Sequence, residues 1–368
     1  MNKKWIIVIT IAVIAGVVGG AYLLLRKPPE AFTPAFSDAD GTPIPGSIAT
    51  IETVNLGGFE QTITIRGLDA SNPVLLHLHG GPGMPSSPWA TWNGYFSELE
   101  KHFVLVHWDQ RGAGKSYSKE LTPNDMELEN FINDTLELTE ILRQRFNQDK
   151  IFMWGHSWGS TLGFDVLQVD SSPYYAYFAS GTRVDWNTGI ELAHQKAYEM
   201  ARQADDTETL EALDSIQPFD PTNMKDLEVH FQVLAQYLIN DFHTPGMEDA
   251  WLAYVTEGNS PEYPSNTIRP TLAGLDFTRA TIYKAAFNGF NLSRDFPRSG
   301  VPVHFLHGRY DYACPGVLVE EYYQSLEAPD KSFTWFENSA HNMFYEESDL
   351  FSQTMTTIAD EILAEYNQ

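Results

Sequence analysis

The sequence predicts an α/β protein, with a mostly parallel β-sheet covered by helices on both faces and a helical segment inserted into it. Three observations lead to this prediction. Short apolar runs end in glycine or polar turns, amphipathic helical patterns lie between them, and one long stretch in the second half breaks this alternation. Strands buried on both faces read as continuous apolar runs, and their alternation with helices is typical of a parallel sheet.

The strand-like segments begin with a hairpin. Ile48–Leu56 and Gln61–Ile65 contain alternating or β-branched residues, and the two glycines between them suit a tight turn. Further short apolar runs follow, each of a length that fits one buried strand. They are Val74–Leu78, Phe103–His107, Ile151–Trp154, Tyr177–Ala179, Val303–Leu306 and Phe333–Phe336.

Helical periodicity appears between these runs. From Leu128 to Phe146, apolar side chains recur every three to four residues and follow a turn-forming Pro-Asn-Asp sequence. This spacing predicts one amphipathic helix. Ile190–Ala204 and Leu227–Ile239 also have helical patterns, and they belong to the stretch that breaks the alternation.

The chain is expected to divide into a core and a cap. No clear buried strand is found in the sequence between residues 185 and 298. We therefore interpret residues 185–298 as a helical cap inserted between two strands of the sheet. The core then comprises residues 47–184 and 299–368. The aromatic residues of the cap could line a pocket or pack its interior.

The N-terminus predicts a membrane anchor. Trp5 to Leu25 is an uncharged run with two basic residues on each side, and a bilayer core requires about 20 apolar residues in a helix. We expect residues 1–27 to form an uncleaved single-pass transmembrane helix, because the apolar region of a signal peptide is shorter. Residues 28–46 are rich in proline and glycine and are expected to be a linker. The flanking charges favour an extracytoplasmic body.

Charge and composition exclude several classes of function. The formal net charge of −26 opposes binding to phosphate backbones, so nucleic acid is excluded as a partner. Cys314 is the single cysteine, which excludes an intrachain disulfide. Gly112–Ser116 resembles a phosphate loop, but Asp109 stands where that motif needs its first glycine.

The strongest chemical signal is Gly155–Gly159 (GHSWG), which fits G-x-S-x-G. It directly follows a predicted strand and precedes a stretch compatible with a helix. On such a tight strand-to-helix turn the serine hydroxyl is exposed, and the glycines avoid a clash with neighbouring backbone. Ser157 is therefore the predicted nucleophile of a hydrolase.

A serine hydroxyl needs a base. His341 is the best candidate because it follows a predicted strand in a short loop and comes last in the chain order Ser, Asp, His. Asp311, at the end of another predicted strand, would orient the imidazole. Two alternatives stay open: Asp311 could instead pair with Arg309, and Glu337 also ends a strand.

The tetrahedral intermediate of acyl transfer needs amide donors for its oxyanion. We expect one from the backbone N–H of Trp158. The other is expected from the N–H of Gly81, in the glycine-rich loop His79–Gly83 (HGGPG) that follows the strand Val74–Leu78. This chemistry requires neither a metal ion nor an organic cofactor.

Together these motifs resemble the proline iminopeptidase family of α/β-hydrolases, over about residues 48–360. The resemblance implies the α/β-hydrolase fold, a triad of Ser157, Asp311 and His341, an oxyanion hole at Gly81 and Trp158, and a cap formed by the helical insertion. The matching segments are His79–Gly83 (HGGPG), Trp108–Ser116 (WDQRGAGKS), Gly155–Ser160 (GHSWGS), Gly308–Asp311 (GRYD) and Ser339–His341.

In that family, acidic cap residues hold the free amino terminus of the substrate, often through a tryptophan followed by glutamate. Here Trp186 is followed by asparagine and Trp251 by leucine, so the substrate-binding residues stay unassigned. The acidic residues Glu191, Glu199 and Glu257 are candidates.

The resemblance implies an aminopeptidase that releases N-terminal residues from short peptides through an acyl-enzyme. A carboxylesterase or amidase acting on small acyl substrates is the alternative. A non-catalytic ligand-binding protein on the same fold is a remote third hypothesis. The sequence does not determine the oligomeric state.

Overall fold

The computed structural model describes residues 30–220, 223–283 and 289–366. Eight strands form one sheet in the order β1-β2-β4-β3-β5-β6-β7-β8. β2 pairs antiparallel with both β1 and β4, and every other pair is parallel. This confirms the predicted α/β class with a mostly parallel sheet. The strands are β1 (Ile48–Leu56), β2 (Phe59–Gly67), β3 (Val74–Leu78), β4 (Val104–Trp108), β5 (Ile151–His156), β6 (Tyr174–Ser180), β7 (Val303–Gly308) and β8 (Lys331–Phe336).

The hairpin between β1 and β2 follows from its two glycines. Gly57 and Gly58 have φ angles of +56° and +84°, and a two-residue turn of this kind needs two successive positive φ values. Glycine adopts them without steric cost. The turn places Leu56 opposite Phe59, two residues before the predicted start of the second strand.

The centre of the sheet is covered on both faces. Every residue of β3 and β5 is buried, and the pleat sends alternate side chains to opposite faces. Leu76 and Met153 join one apolar cluster, whereas Leu75 and Phe152 join the other.

Within the described ranges, the α-helices are α1 (Ser97–His102), α2 (Leu128–Phe146), α3 (Trp158–Val169), α4 (Trp186–Gln203), α5 (Thr207–Ser215), α6 (Met224–Gln236), α7 (Met247–Thr256), α8 (Ile268–Thr281), α9 (Leu292–Asp295), α10 (Gly316–Ser325), α11 (Met343–Glu346) and α12 (Ser348–Tyr366).

Helices α4–α9 lie in the chain between β6 and β7. Helix α4 begins after Asp185, whose side chain caps it by accepting a hydrogen bond from the N–H of Thr188. The inserted helices rest on the loops that follow the parallel strands. For example, Trp89 stacks on Trp251 of α7, with ring centroids 4.2 Å apart. The boundaries 47–184, 185–298 and 299–368 remain a prediction, but the insertion lies over the carboxyl edge of the sheet.

The predicted linker is described from residue 30 onward, and it packs against the rest of the chain. The N–H of Phe32 donates to the carbonyl of Pro261 at 3.1 Å. The hydroxyl of Thr33 donates to Glu262 at 2.8 Å. These long-range bonds distinguish the segment from a flexible tether.

The predicted N-terminal membrane anchor is contradicted. Its segment, residues 1–27, lies outside the described residues, and within the described ranges no helix is both long and apolar enough to cross a bilayer. The two 19-residue helices, α2 and α12, each carry several charged residues. The membrane partner, the single-pass topology and the extracytoplasmic location all depended on that anchor, and none of them is retained.

Candidate active site

Ser157 lies on the turn between β5 and α3, with φ +56° and ψ −119°, a conformation that non-glycine residues rarely adopt. The flanking glycines explain how this turn forms. A Cβ on Gly155 would come within 2.4 Å of the Gly159 carbonyl oxygen, and a Cβ on Gly159 within 1.9 Å of the Leu78 carbonyl oxygen. Side chains at both positions are thus excluded. The G-x-S-x-G spacing holds Ser157 in the strained geometry typical of a nucleophile.

His341 and Asp311 come together from the loops after β8 and β7. The Nδ1 atom of His341 lies 2.7 Å from Oδ2 of Asp311, and both residues are buried. The other carboxylate oxygen of Asp311 accepts a hydrogen bond from the N–H of Cys314 at 2.8 Å. A proton on Nδ1 directed at the carboxylate leaves Nε2 of His341 free to act as a base.

The electrostatics of this pair favour a charged carboxylate. Burial by itself raises the pKa of Asp311, but the interactions with His341, His307 and the N–H of Cys314 together lower the pKa overall. Burial alone lowers the pKa of His341, but the carboxylates of Asp311 and Asp241, with Asp311 contributing most, raise it overall. Asp311 therefore stays ionised and stabilises the imidazolium that forms when His341 accepts a proton.

The structure does not support either alternative for the acid. Arg309 pairs with Glu337 at 2.7 Å rather than with Asp311, and both partners are exposed.

His156, next to the serine, packs at an oblique angle against His341, with ring centroids 4.6 Å apart. Burial keeps the pKa of His156 well below its usual value, so this ring stays neutral.

Cys314 lies beside the pair. Within the part of the chain that the structure describes, its sulfur and the donor atoms of Asp311 and His341 form a group of three potential metal ligands, all within 4.8 Å of one another. Burial raises the pKa of the Cys314 thiol to about 12, whereas a cysteine binds metal as thiolate. The hydrogen bond from His341 to Asp311 fits a catalytic pair better than a metal site.

The two predicted oxyanion donors belong to two different segments next to the serine. Trp158 is the first residue of α3. Gly81 follows Gly80, and a Cβ on Gly80 would lie 3.1 Å from the Cβ of Ser157. The glycine-rich loop after β3 therefore packs directly against the serine turn. The donor roles of Gly81 and Trp158 remain predictions.

A cavity of about 320 Å³ opens at this point. Ser157 and His341 both line it, and side chains of the inserted helices form much of the remaining wall. Among the described residues, the lining contains one carboxylate, Asp241, and two guanidinium groups, Arg183 and Arg279. The apolar part of the wall includes Met84, Trp89, Phe231, Trp251, Leu275, Tyr283, Phe344 and Tyr345.

The sequence did not single out Asp241. The three glutamates considered as candidates, Glu191, Glu199 and Glu257, are exposed and do not line the cavity. Asp241 lies in the short connection after α6, and burial raises its pKa, although nearby His341 opposes the rise. An isolated acid in a short loop has no sequence signal that marks it.

The segment Ile239–Asp241 contacts both loops of the pair. The N–H of Tyr312 donates to the carbonyl of Ile239 at 3.0 Å. The N–H of His341 donates to the carbonyl of Asn240 at 3.1 Å, and the next N–H along that loop donates to the carbonyl of Asp241 at 3.0 Å. The insertion is thus hydrogen-bonded to the residue after Asp311, to His341 itself and to the residue after His341.

Most of the loop Asp109–Ser116, part of which resembles a phosphate loop, is buried. Asp109 is fully buried and accepts a hydrogen bond from the hydroxyl of Ser87 at 2.6 Å. The Lys115 ammonium donates to the carbonyl of Glu262 at 3.0 Å. In the sequence, the available signal for this buried polar loop was the presence of charged residues directly after the mostly apolar strand Val104–Trp108.

Comparisons with known proteins point to one family. A family profile described as alpha/beta hydrolase fold matches residues 73–205. A probable aminopeptidase from Bacillus subtilis is 33% identical over 314 residues, which cover 84% of this chain and 96% of that protein. A proline iminopeptidase from Heyndrickxia coagulans is 27% identical over 276 residues, or 75% of this chain and 86% of that protein.

A solved structure agrees on the fold. The proline iminopeptidase-related protein from Thermus thermophilus matches with a TM-score of 0.60 at 19% identity, over 86% of this chain and 98% of that chain. At this identity the likeness shows the fold alone. The family is established by the extent of the match to the Bacillus protein, together with the match to the Heyndrickxia protein, and the chain belongs to the proline iminopeptidase-like α/β-hydrolase family.

Proposed function

We propose that this protein is a serine aminopeptidase of the proline iminopeptidase type, which releases N-terminal residues from short peptides. The observation that carries the proposal is the 2.7 Å contact between His341 and Asp311 in the loops of a cavity that also exposes Ser157. The names of the Bacillus and Heyndrickxia relatives favour peptide substrates over other acyl compounds.

In the proposed mechanism, Oγ of Ser157 attacks the carbonyl carbon of the scissile amide while Nε2 of His341 takes the hydroxyl proton. The backbone N–H groups of Gly81 and Trp158 stabilise the oxyanion of the tetrahedral intermediate. The intermediate collapses as His341 gives its proton to the leaving amine. Asp311 stays ionised throughout and stabilises the imidazolium.

The remaining acyl-enzyme is an ester of Ser157. Water attacks its carbonyl carbon while His341 again accepts a proton, and a second tetrahedral intermediate forms. Its collapse returns the proton to Oγ of Ser157 and releases the N-terminal residue as a free amino acid.

Two features of the cavity support a small substrate with a free amine. Its volume of about 320 Å³ is at the lower end of the range for small-molecule sites. The half-buried carboxylate of Asp241 in its wall can offset the charge of a substrate ammonium group. Asp241 is therefore the candidate acid for the amino terminus.

The test is hydrolysis of prolyl-, alanyl- and leucyl-naphthylamides by the wild type and by Ser157→Ala. We expect the wild type to cleave the naphthylamides that carry a free amino group. Acylation of that amino group is expected to abolish cleavage. Loss of the nucleophile is expected to lower kcat by at least about 10³-fold, the scale of a triad lesion. Thermal unfolding of both proteins checks that the fold is retained.

The same experiment separates the competing hypotheses. Cleavage of p-nitrophenyl acetate and butyrate without any naphthylamide cleavage would assign an esterase and remove the role of Asp241. A Ser157→Ala variant with a near wild-type rate would refute the nucleophile itself.

A further inference from the structure

We infer that Gln110 is a positioning residue that holds the two sides of the oxyanion hole at a fixed separation, and this inference rests on the proposed function. The two donors belong to different elements. Gly81 lies in the loop after β3, whereas Trp158 begins the helix after β5. Gln110 follows β4, the neighbour of β3 in the sheet, and is 1% exposed.

One side-chain amide connects the two sides. The Nε2–H of Gln110 donates to the carbonyl of His79 at 3.1 Å. Its Oε1 accepts a hydrogen bond from Nε1–H of Trp158 at 2.9 Å. The backbone N–H of Gln110 also donates to Nε2 of His79 at 3.1 Å. Both ends of the amide therefore form hydrogen bonds. One partner is Trp158, a predicted donor, and the other is His79, two residues before Gly81.

The contact with His79 is transmitted to Gly81. Because Nε2 of His79 accepts a hydrogen bond from the backbone N–H of Gln110, the ring hydrogen is on Nδ1, and Nδ1 donates to the carbonyl of Gly80 at 2.8 Å. Burial lowers the pKa of His79 to about 4, which keeps this tautomer neutral.

The carbonyl of Gly80 and the N–H of Gly81 belong to one peptide unit. This peptide bond is trans, since the cis bonds of the described chain are at other positions, and in a trans unit the C=O and N–H point in opposite directions. Fixing the carbonyl of Gly80 therefore fixes the direction of the Gly81 N–H. Gln110, through His79, determines where this oxyanion donor points.

The other end fixes the residue that supplies the second donor. The indole of Trp158 is fully buried, and it meets Phe131 edge to face with ring centroids 5.9 Å apart. The bond to Gln110 adds a polar contact of defined direction to this packing. A lost oxyanion donor costs about 10²- to 10³-fold in kcat, so a misplaced donor is expected to cost part of that range.

The test is Gln110→Met, which keeps the length of the side chain and removes both of its hydrogen bonds. We expect kcat on a cleaved naphthylamide to fall about 10- to 100-fold, with KM within about twofold, because uniform substrate binding is unchanged. A substrate-like aldehyde, which forms a tetrahedral adduct with the serine, is expected to bind more weakly by the same factor. The free amino acid product is expected to bind as before.

A second variant reaches the same bond from the other side. Trp158→Phe removes the indole N–H and keeps an aromatic ring. Because both changes break one contact, the double variant is expected to lose less kcat than the product of the two single losses. Gln353→Met, at an exposed position on α12, is the matched control and is expected to behave as wild type.

The outcomes distinguish the inference from the function on which it rests. Wild-type protein without Ser157-dependent turnover would overturn both. Full kcat and full aldehyde affinity in Gln110→Met and in Trp158→Phe, in an enzyme that depends on Ser157, would overturn the inference alone. Equal loss of aldehyde and product binding would also overturn it, since a merely structural role predicts that result.

Discussion

Among individual residues, His341 is expected to set the pH range of the proposed reaction. Burial by itself lowers its pKa, but the carboxylate of Asp311 raises it above the ordinary value of 6.5. A general base must be neutral to accept a proton. We therefore expect kcat/KM to rise with pH through a single acid limb whose midpoint lies above pH 6.5, measured with a naphthylamide substrate.

Asp311→Asn tests the origin of that midpoint. Without the carboxylate, burial dominates and the pKa of His341 falls, so the acid limb is expected to move to lower pH while the maximal kcat drops about 10³- to 10⁴-fold. Glu337→Gln is the control, because this exposed carboxylate pairs with Arg309 and not with His341. An unchanged midpoint in Asp311→Asn would contradict the proposed electrostatics.

Residues differ in how far their sequence context reveals them. Ser157 has a local motif, and Asp311 and His341 follow strands in a fixed chain order, so all three were proposed from sequence, and their roles remain predictions. Gln110 and Asp241 were not, because their importance arises only where elements distant in sequence meet. No local pattern records that the amide of Gln110 spans His79 and Trp158.

Among the structural elements, helix α11 connects the insertion to the loop that carries His341. One carboxylate oxygen of Glu346 accepts the N–H of Ala340 at 2.7 Å. The other accepts the N–H groups of His243 at 2.8 Å and Thr244 at 2.6 Å. A single side chain thus satisfies backbone donors in the His341 loop and in the connection between α6 and α7.

Glu346→Gln is expected to destabilise the protein by about 1–3 kcal/mol, because an amide cannot accept all three bonds and leaves a backbone donor unsatisfied. We also expect a lower kcat, since the loop that carries His341 loses a support. Urea unfolding measures the first effect and naphthylamide hydrolysis the second. Glu361→Gln, on the exposed face of α12, is the control, and equal stability of the two variants would contradict the prediction.

Elements with strong local periodicity were predicted well, and their ends were predicted less well. The hairpin and the buried strands were identified within a few residues. The helix expected over Leu227–Ile239 ends at Gln236. Beyond it, Leu238 has φ +56°, and Ile239 bonds to Tyr312 in the core. A tertiary contact there outweighs helical periodicity, which a local pattern does not reveal.

Across the whole molecule, the segment before β1 joins the core to the insertion. Arg66 of β2 donates to the hydroxyl of Thr33 at 2.6 Å and to the carbonyl of Pro34 at 2.7 Å. The hydroxyl of Thr33 in turn donates to Glu262. The sequence suggested a linker because proline and glycine are frequent there, but composition does not reveal such long-range bonds.

A comparison of two chain starts tests this connection. A chain that begins at Ser37 lacks the partners of Arg66 described above. We expect its free energy of unfolding to be about 1–3 kcal/mol lower than that of a chain that begins at Glu30, because buried donors of Arg66 are left without these acceptors. Each kcal/mol lost is expected to lower the unfolding midpoint by about 2–4 °C. Differential scanning calorimetry measures the difference, and identical midpoints would exclude a stabilising role.

The bonds between Ile239–Asp241 and the loops of Asp311 and His341 also bear on protein engineering. One way to redesign the substrate specificity of such a protein is to exchange its inserted helices while keeping the core. In this protein, that exchange would also replace the groups that support the loops of His341 and Asp311. A chimera that takes new helices but retains residues 239–244 would preserve those supports. The host's own reaction would then continue while the choice of substrate is redesigned.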